Sequence, residues 1–257
     1  MALVRSVLPF IAAFVVAYLL LCAWMYATQR AQIYFPTPAS AAPRAKVLWV
    51  ESGGERIKVW VVARPRSTAL LYFGGNAEDV AGNVDTLAQA FPDRSLYLVN
   101  YRGFGGSSGR PSEAGLRDDA IAVFDQVRLE HPEVAVIGRS LGSGVAVQLA
   151  ATRPVERLAL VTPYDSLVNV ARAHFRWLPV AILLKDRFDS AARAPEVKAP
   201  VLIVIAAEDE IIPTARSEAL AQAFAPGQVE VVVVPAVGHN TLDLSHRYLD
   251  VVREFVR

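Results

Sequence analysis

The chain has 257 residues, 53% of them apolar, with 26 lysines and arginines against 25 aspartates and glutamates. That length suits one large α/β domain with a small appendage, and the apolar share supports a sizeable core. A formal net charge of +1 carries no nucleic-acid footprint, and a lone cysteine, Cys22, excludes an intrachain disulfide framework and a Cys-rich metal site.

Residues 6–26 hold no charged side chain. A run of about 20 apolar residues is long enough to cross a bilayer as a helix. Arg5 precedes it, Arg30 follows it, and Trp24 and Tyr26 stand near its end, where aromatic rings favour the headgroup layer. A cleaved signal would have a shorter apolar stretch and a small-residue cleavage site, and Ala27-Thr28-Gln29 fits that poorly. A buried core helix is the other alternative. The reading adopted is a retained membrane anchor over 1–30, with charge leaving its direction across the membrane open. Residues 31–46 carry Pro36, Pro38 and Pro43 among small residues and read as a linker, since each proline holds its predecessor extended.

From residue 47 the pattern changes. Strands are expected at 47–50 and 57–63, separated by Gly53-Gly54, and at 69–73. Helical spacing of Val80, Val84, Leu87, Ala88 and Phe91 predicts a helix over 78–91. A strand follows at 95–100, a helix at 112–130, a strand at 133–137 and a helix at 141–152. Strands at 157–161, 201–206 and 229–234 alternate with helices at 214–225 and 242–256. Strands that are apolar throughout and alternate with helices predict an α/β fold with a mostly parallel sheet covered on both faces. The domain is expected over 47–257. Residues 162–195 are less regular, interrupted by Pro163, Pro179 and Pro195 and rich in apolar side chains. They read equally as a small helical cap over the site or as an ordinary excursion packed on the domain.

In such sheets ligands bind beyond the carboxyl ends of the strands. There the sequence Gly138-Arg139-Ser140-Leu141-Gly142 matches G-x-S-x-G between an expected strand and an expected helix. That context, not the pentapeptide alone, marks a nucleophile elbow, in which a sharp turn exposes the serine. A serine hydroxyl needs a base, and the base needs an orienting group. Asp209 follows the strand 201–206, and His239 follows the strand 229–234, in the chain order Ser, Asp, His that this architecture uses. Glu208 and Glu210 flank Asp209. His131, His174 and His246 read as packed or surface residues. Backbone N–H groups must hold the developing oxyanion. Leu141, next after the serine, supplies one, and Asn76 in the loop Phe73-Gly74-Gly75-Asn76 after the third strand is the candidate for the other. The glycine-rich loop 103–109 follows a strand, but Ser108 occupies the third glycine position and Pro111 separates the loop from its helix, so it makes no nucleotide cradle. No cofactor and no metal are expected.

Several stretches together resemble a known family: QIYFP at 32–36, FGGNAED at 73–79, NYRGFGGSSGRPSE at 100–113, GRSLGSGVA at 138–146, TPYDSL at 162–167, DRFDS at 186–190, EDEIIP at 208–213 and GHN at 238–240. The chain resembles the α/β-hydrolases of the Bem46 group and of α/β-hydrolase domain groups 13 and 17, within the wider serine-aminopeptidase-like set. The resemblance implies the α/β-hydrolase fold, a triad of Ser140, Asp209 and His239, and Asn76 and Leu141 as oxyanion donors. It also implies hydrolysis of an ester, thioester or amide without a cofactor. Relatives commonly carry a histidine where this chain has Gly74. A membrane anchor makes an acyl ester or thioester the expected substrate. A peptidase, and a binding protein that keeps the fold without catalysis, are the alternatives.

Overall fold

The computed structural model describes residues 2–257, with the side chains of residues 2–6, Leu8 and His246 outside that description. The reading of His246 as a surface side chain therefore lies outside the described residues, as does the flanking role given to Arg5. The chain opens with one helix, α1 (Ala2–Ile33), which overruns the expected anchor by three residues. Eight strands then form one sheet: β1 (Lys46–Ser52), β2 (Glu55–Val62), β3 (Thr68–Phe73), β4 (Ser95–Val99), β5 (Glu133–Arg139), β6 (Leu158–Val161), β7 (Val201–Ala206) and β8 (Val229–Val234).

The strand order is β1-β2-β4-β3-β5-β6-β7-β8. Strand β2 runs antiparallel to both β1 and β4, and every pair from β4 onward is parallel. The sheet is therefore mostly parallel, as its uninterrupted apolar strands require. Side chains alternate across it. Leu71 and Phe73, Val134 and Val136 join one core with α3 (Glu113–Arg128) and α4 (Leu141–Ala150). Leu70 and Tyr72, Ala135 and Ile137 join the other with α2 (Val84–Ala90) and α9 (His246–Val256). A further helix, α8 (Thr214–Ala223), follows β7.

Element boundaries moved where side chains compete for backbone groups. The helix expected over 78–91 begins as a 3-10 turn at Val80, because the Asp79 carboxylate caps the Ala81 N–H. The last expected helix splits into a 3-10 turn at Leu242–Leu244 and α9. The loop after β4 continues that strand's pairing with β2: the hydroxyls of Ser107 and Ser108 accept the Lys58 and Arg56 N–H groups at 2.8 Å each. Its glycines serve that approach.

The 162–195 stretch forms three short helices, α5 (Leu167–His174), α6 (Val180–Leu183) and α7 (Ser190–Arg193). Much of it packs against the second half of α1, where Cys22 is buried with Leu178 and Val180. The end of α1 is also clamped. Arg30 makes two hydrogen bonds to the buried Asp186 carboxylate, at 2.9 and 3.1 Å, and the Tyr34 hydroxyl donates to the same group at 3.1 Å. Burial, reinforced by the Asp186 charge, pushes Tyr34 well above the ordinary phenol range. The segment after α1 is accordingly a docked strap and no free spacer.

Candidate active site

Strand β3 has β4 on one side and β5 on the other. The chain reverses its direction of travel across the sheet at this point, which opens a crevice at the strand ends. Phe73 and Gly138 are paired neighbours at the carboxyl ends of β3 and β5, so the loops that follow lie side by side. One carries Asn76 and the other Ser140.

Ser140 sits between β5 and α4 with φ 50° and ψ −116°, a left-handed conformation that costs free energy in a non-glycine residue. Its neighbours explain how the turn is held. A Cβ on Gly138 would meet the Gly142 carbonyl oxygen at 2.5 Å and the Ala146 methyl at 2.6 Å, and one on Gly142 would strike the Phe73 carbonyl oxygen. Only glycines permit the helix to close this far onto the strand.

The Ser140 hydroxyl lies 2.9 Å from His239 Nε2, and His239 Nδ1 lies 2.8 Å from Asp209 Oδ2. A carboxylate only accepts, so the neutral imidazole carries its proton on Nδ1 and leaves Nε2 to accept from serine. Asp209 and His239 side chains are 2% and 7% exposed, which strengthens the contact by excluding water. The other Asp209 oxygen accepts the N–H groups of Ile211 and Ile212, at 3.0 and 2.7 Å. Glu210 takes a different part: its carboxylate accepts the His239 backbone N–H at 3.2 Å and so steadies the loop. Glu208 makes no comparable side-chain contact among the described residues.

The loop after β3 is organised by Glu78. One of its oxygens accepts the Gly75 N–H at 2.6 Å, and the other accepts from the Tyr72 hydroxyl, also at 2.6 Å. Burial pushes Tyr72 well above the ordinary phenol range and the Glu78 charge adds to it, so Tyr72 keeps its proton as donor. Gly74 leaves the space that this arrangement uses: a Cβ there would fall 2.7 Å from a Val80 methyl and 2.9 Å from Glu78. Asn76 spends its side chain on the end of α1. Its amide nitrogen donates to the Ile33 carbonyl at 2.6 Å, and its oxygen accepts the Phe35 N–H at 3.0 Å. The backbone N–H groups of Asn76 and Leu141 have no acceptor among the described residues. The Leu141 side chain is buried in the core, so only its backbone can serve the site.

A cavity of about 590 Å³ is lined by Ser140, His239, Asn76, Glu78 and Arg139 together with Phe35 and Ile211. No residue of 162–195 lines it; His174 of α5 touches the site only by its contact with the Ile211 carbonyl, 2.8 Å away. His131 is buried between the Tyr97 hydroxyl and the Arg66 carbonyl, a packing role. Among the described residues no group of three His, Cys, Asp or Glu side chains forms a metal nest.

Residues 69–198 match the family described as the alpha/beta hydrolase fold. An uncharacterised protein of Mycobacterium tuberculosis is 37% identical over 251 residues, 91% of this chain and 89% of that one. Alpha/beta hydrolase domain-containing protein 17B of Xenopus tropicalis is 30% identical over 214 residues, 80% of this chain and 72% of that one. Among solved structures, the Pyrococcus furiosus esterase Pf2001 superposes with a TM-score of 0.71 at 15% identity, covering 87% of this chain and 97% of that one.

Proposed function

We propose that this chain, which belongs to the alpha/beta hydrolase fold family, is a membrane-anchored serine hydrolase that cleaves a carboxylic ester or thioester through Ser140, His239 and Asp209. The observation that carries the reading is the unbroken contact from the Ser140 hydroxyl through His239 to Asp209, at 2.9 and 2.8 Å, at the mouth of the crevice.

In this mechanism Ser140 Oγ attacks the acyl carbonyl carbon as His239 Nε2 takes its proton. Asp209 holds the imidazole in its tautomer and stabilises the imidazolium. The backbone N–H groups of Asn76 and Leu141 bind the oxyanion, each contributing roughly 3–4 kcal/mol to the transition state. Collapse breaks the bond to the leaving alcohol or thiol, which takes the proton from His239. Water then attacks the acyl-serine, with His239 again the base, and releases the acid. No cofactor enters the scheme.

Residues 1–30 form the anchor, 31–46 the connection and 47–257 the catalytic domain in this reading. The span Pro9–Ile33, with a mean hydropathy of 2.2 over its apolar window, supports the anchor. The test is covalent labelling by a fluorophosphonate probe. The native protein is expected to label, and Ser140→Ala to lose both labelling and ester hydrolysis, by at least about 10⁴-fold in rate. A folded native protein that does not label would favour a binding protein. Labelling that survives in Ser140→Ala would move the nucleophile elsewhere.

A further inference from the structure

We propose that the helical excursion between β6 and β7 enters the bilayer together with α1, so that the domain is seated in the membrane instead of standing above it on a tether. The proposal rests on reading α1 as a membrane anchor. The partner of this surface is the lipid itself.

The first argument is one of length. From Tyr18 onward α1 is packed on the excursion. The Tyr18 hydroxyl donates to the Trp177 carbonyl at 2.9 Å. Cys22 is buried with Leu178 and Val180. The Gln29 side chain bonds the Leu183 carbonyl at 3.0 Å and the Lys185 N–H at 2.7 Å. The part of α1 before Tyr18 holds about 16 residues, or roughly 24 Å of helix at 1.5 Å per residue. A hydrocarbon core is about 30 Å thick. The helix crosses only if part of its docked half also enters, and whatever is packed on that half must follow it.

The second argument is the chemistry of the surface that would follow. Phe175, Trp177 and Ile182 are 45%, 57% and 82% exposed, on the excursion that packs against α1. An apolar patch of that kind on a domain marks a contact surface. Lys185 and Arg187 close the segment, and the Lys185 ammonium stands 3.9 Å from the ring centroid of Tyr26, where the uncharged run of α1 ends. Aromatic rings beside cations at one level are the signature of a headgroup layer. Arg172 and Arg176 lie in the same segment and are the charges that snorkelling has to keep out of the hydrocarbon. Counted along α1, Trp177 lies beside Tyr18, eight residues deeper than Tyr26, or about 12 Å.

The seating has a functional consequence. Ile33 is seven residues beyond Tyr26, about 10 Å along the helix, and Asn76 is clamped to it. The cavity wall at Phe35, an exposed residue, then lies beside the headgroups, within reach of acyl groups supplied from the bilayer.

The test uses the full chain in phosphatidylcholine vesicles. Single nitroxide labels are placed on Trp177→Cys, Ile182→Cys, Val16→Cys and Leu129→Cys in a Cys22→Ala background. Fluorophosphonate labelling of Ser140 shows that each variant is folded. Collisions with oxygen and with a water-soluble nickel chelate report depth. Labels at 177 and 182 are expected to lose nickel collisions and gain oxygen collisions, as at 16, while 129 stays open to nickel. Nickel access at either 177 or 182, with 16 shielded, overturns the seating and leaves the anchor standing. Nickel access at 16 removes the anchor reading itself.

Discussion

Asn76 divides its labour between side chain and backbone. Its amide group holds the Ile33 carbonyl and the Phe35 N–H, while its own N–H stays open toward the proposed oxyanion. Removing the side chain frees the loop without removing the donor. Asn76→Ala is therefore expected to lower kcat by up to about 10²-fold, the effect of a misplacement on the order of 1 Å, with KM little changed and the fold retained. Steady-state kinetics on a p-nitrophenyl ester, read beside a thermal melt, check this. An unchanged kcat would mean that Glu78 alone positions the loop. Gly74 belongs to the same account. Its missing Cβ lets the Glu78 carboxylate turn inward to the Gly75 N–H.

At the scale of elements, the closest approach in the site is α4 onto the end of β3. Gly142→Ala would drive a methyl into the Phe73 and Gly74 carbonyl oxygens, which are backbone and cannot step aside. A destabilisation of about 3 kcal/mol or more is expected, the upper end for overpacking. Gly82→Ala is the control, because nothing lies within 4 Å of its Cβ position, and it should gain up to about 1 kcal/mol through the unfolded chain. Urea denaturation of both measures the difference. The clamp between α1 and the excursion depends on Asp186. Asp186→Ala removes three hydrogen bonds, but Arg30 is 52% exposed and regains water. The expected loss is therefore modest, about 1–3 kcal/mol. In detergent micelles the same variant should label faster at Cys22, which is buried under Leu178 and Val180 in the intact clamp. An unchanged labelling rate would show that apolar packing alone holds α1.

For the molecule as a whole, α1 is packed on the α/β domain through the excursion between β6 and β7. The proposed anchor predicts that the full chain stays with membranes through alkaline carbonate washing, which strips proteins held by charge alone. Release into the wash would count against a spanning helix. The docking of α1 also ties the chain at Ile33 and Phe35 to the Asn76 loop of the proposed active site.

Periodicity and turn chemistry were enough to read the alternation of strands and helices, and with it the mostly parallel sheet, because the inner strands β3 to β7 are buried on both faces and their apolar runs are a local signal. The order of Ser140, Asp209 and His239 was legible too, since each follows a strand and the carboxyl ends of strands converge. Other features had no local signal. Asp186 and Asn76 look like ordinary loop residues until Arg30, Tyr34 and Ile33 arrive from the far end of the chain. Glu210 was a rival to Asp209 by position, and only its distance to the His239 N–H separates their parts. The helix also outruns the hydropathy signal for the same reason: hydropathy ends where charge begins, whereas α1 ends where Asp186 and Asn76 take hold of it. Patterns along the chain report burial, which is a property of each residue's own neighbourhood. Hydrogen bonds between residues 29 to 156 positions apart are set only when the sheet has closed and brought them together.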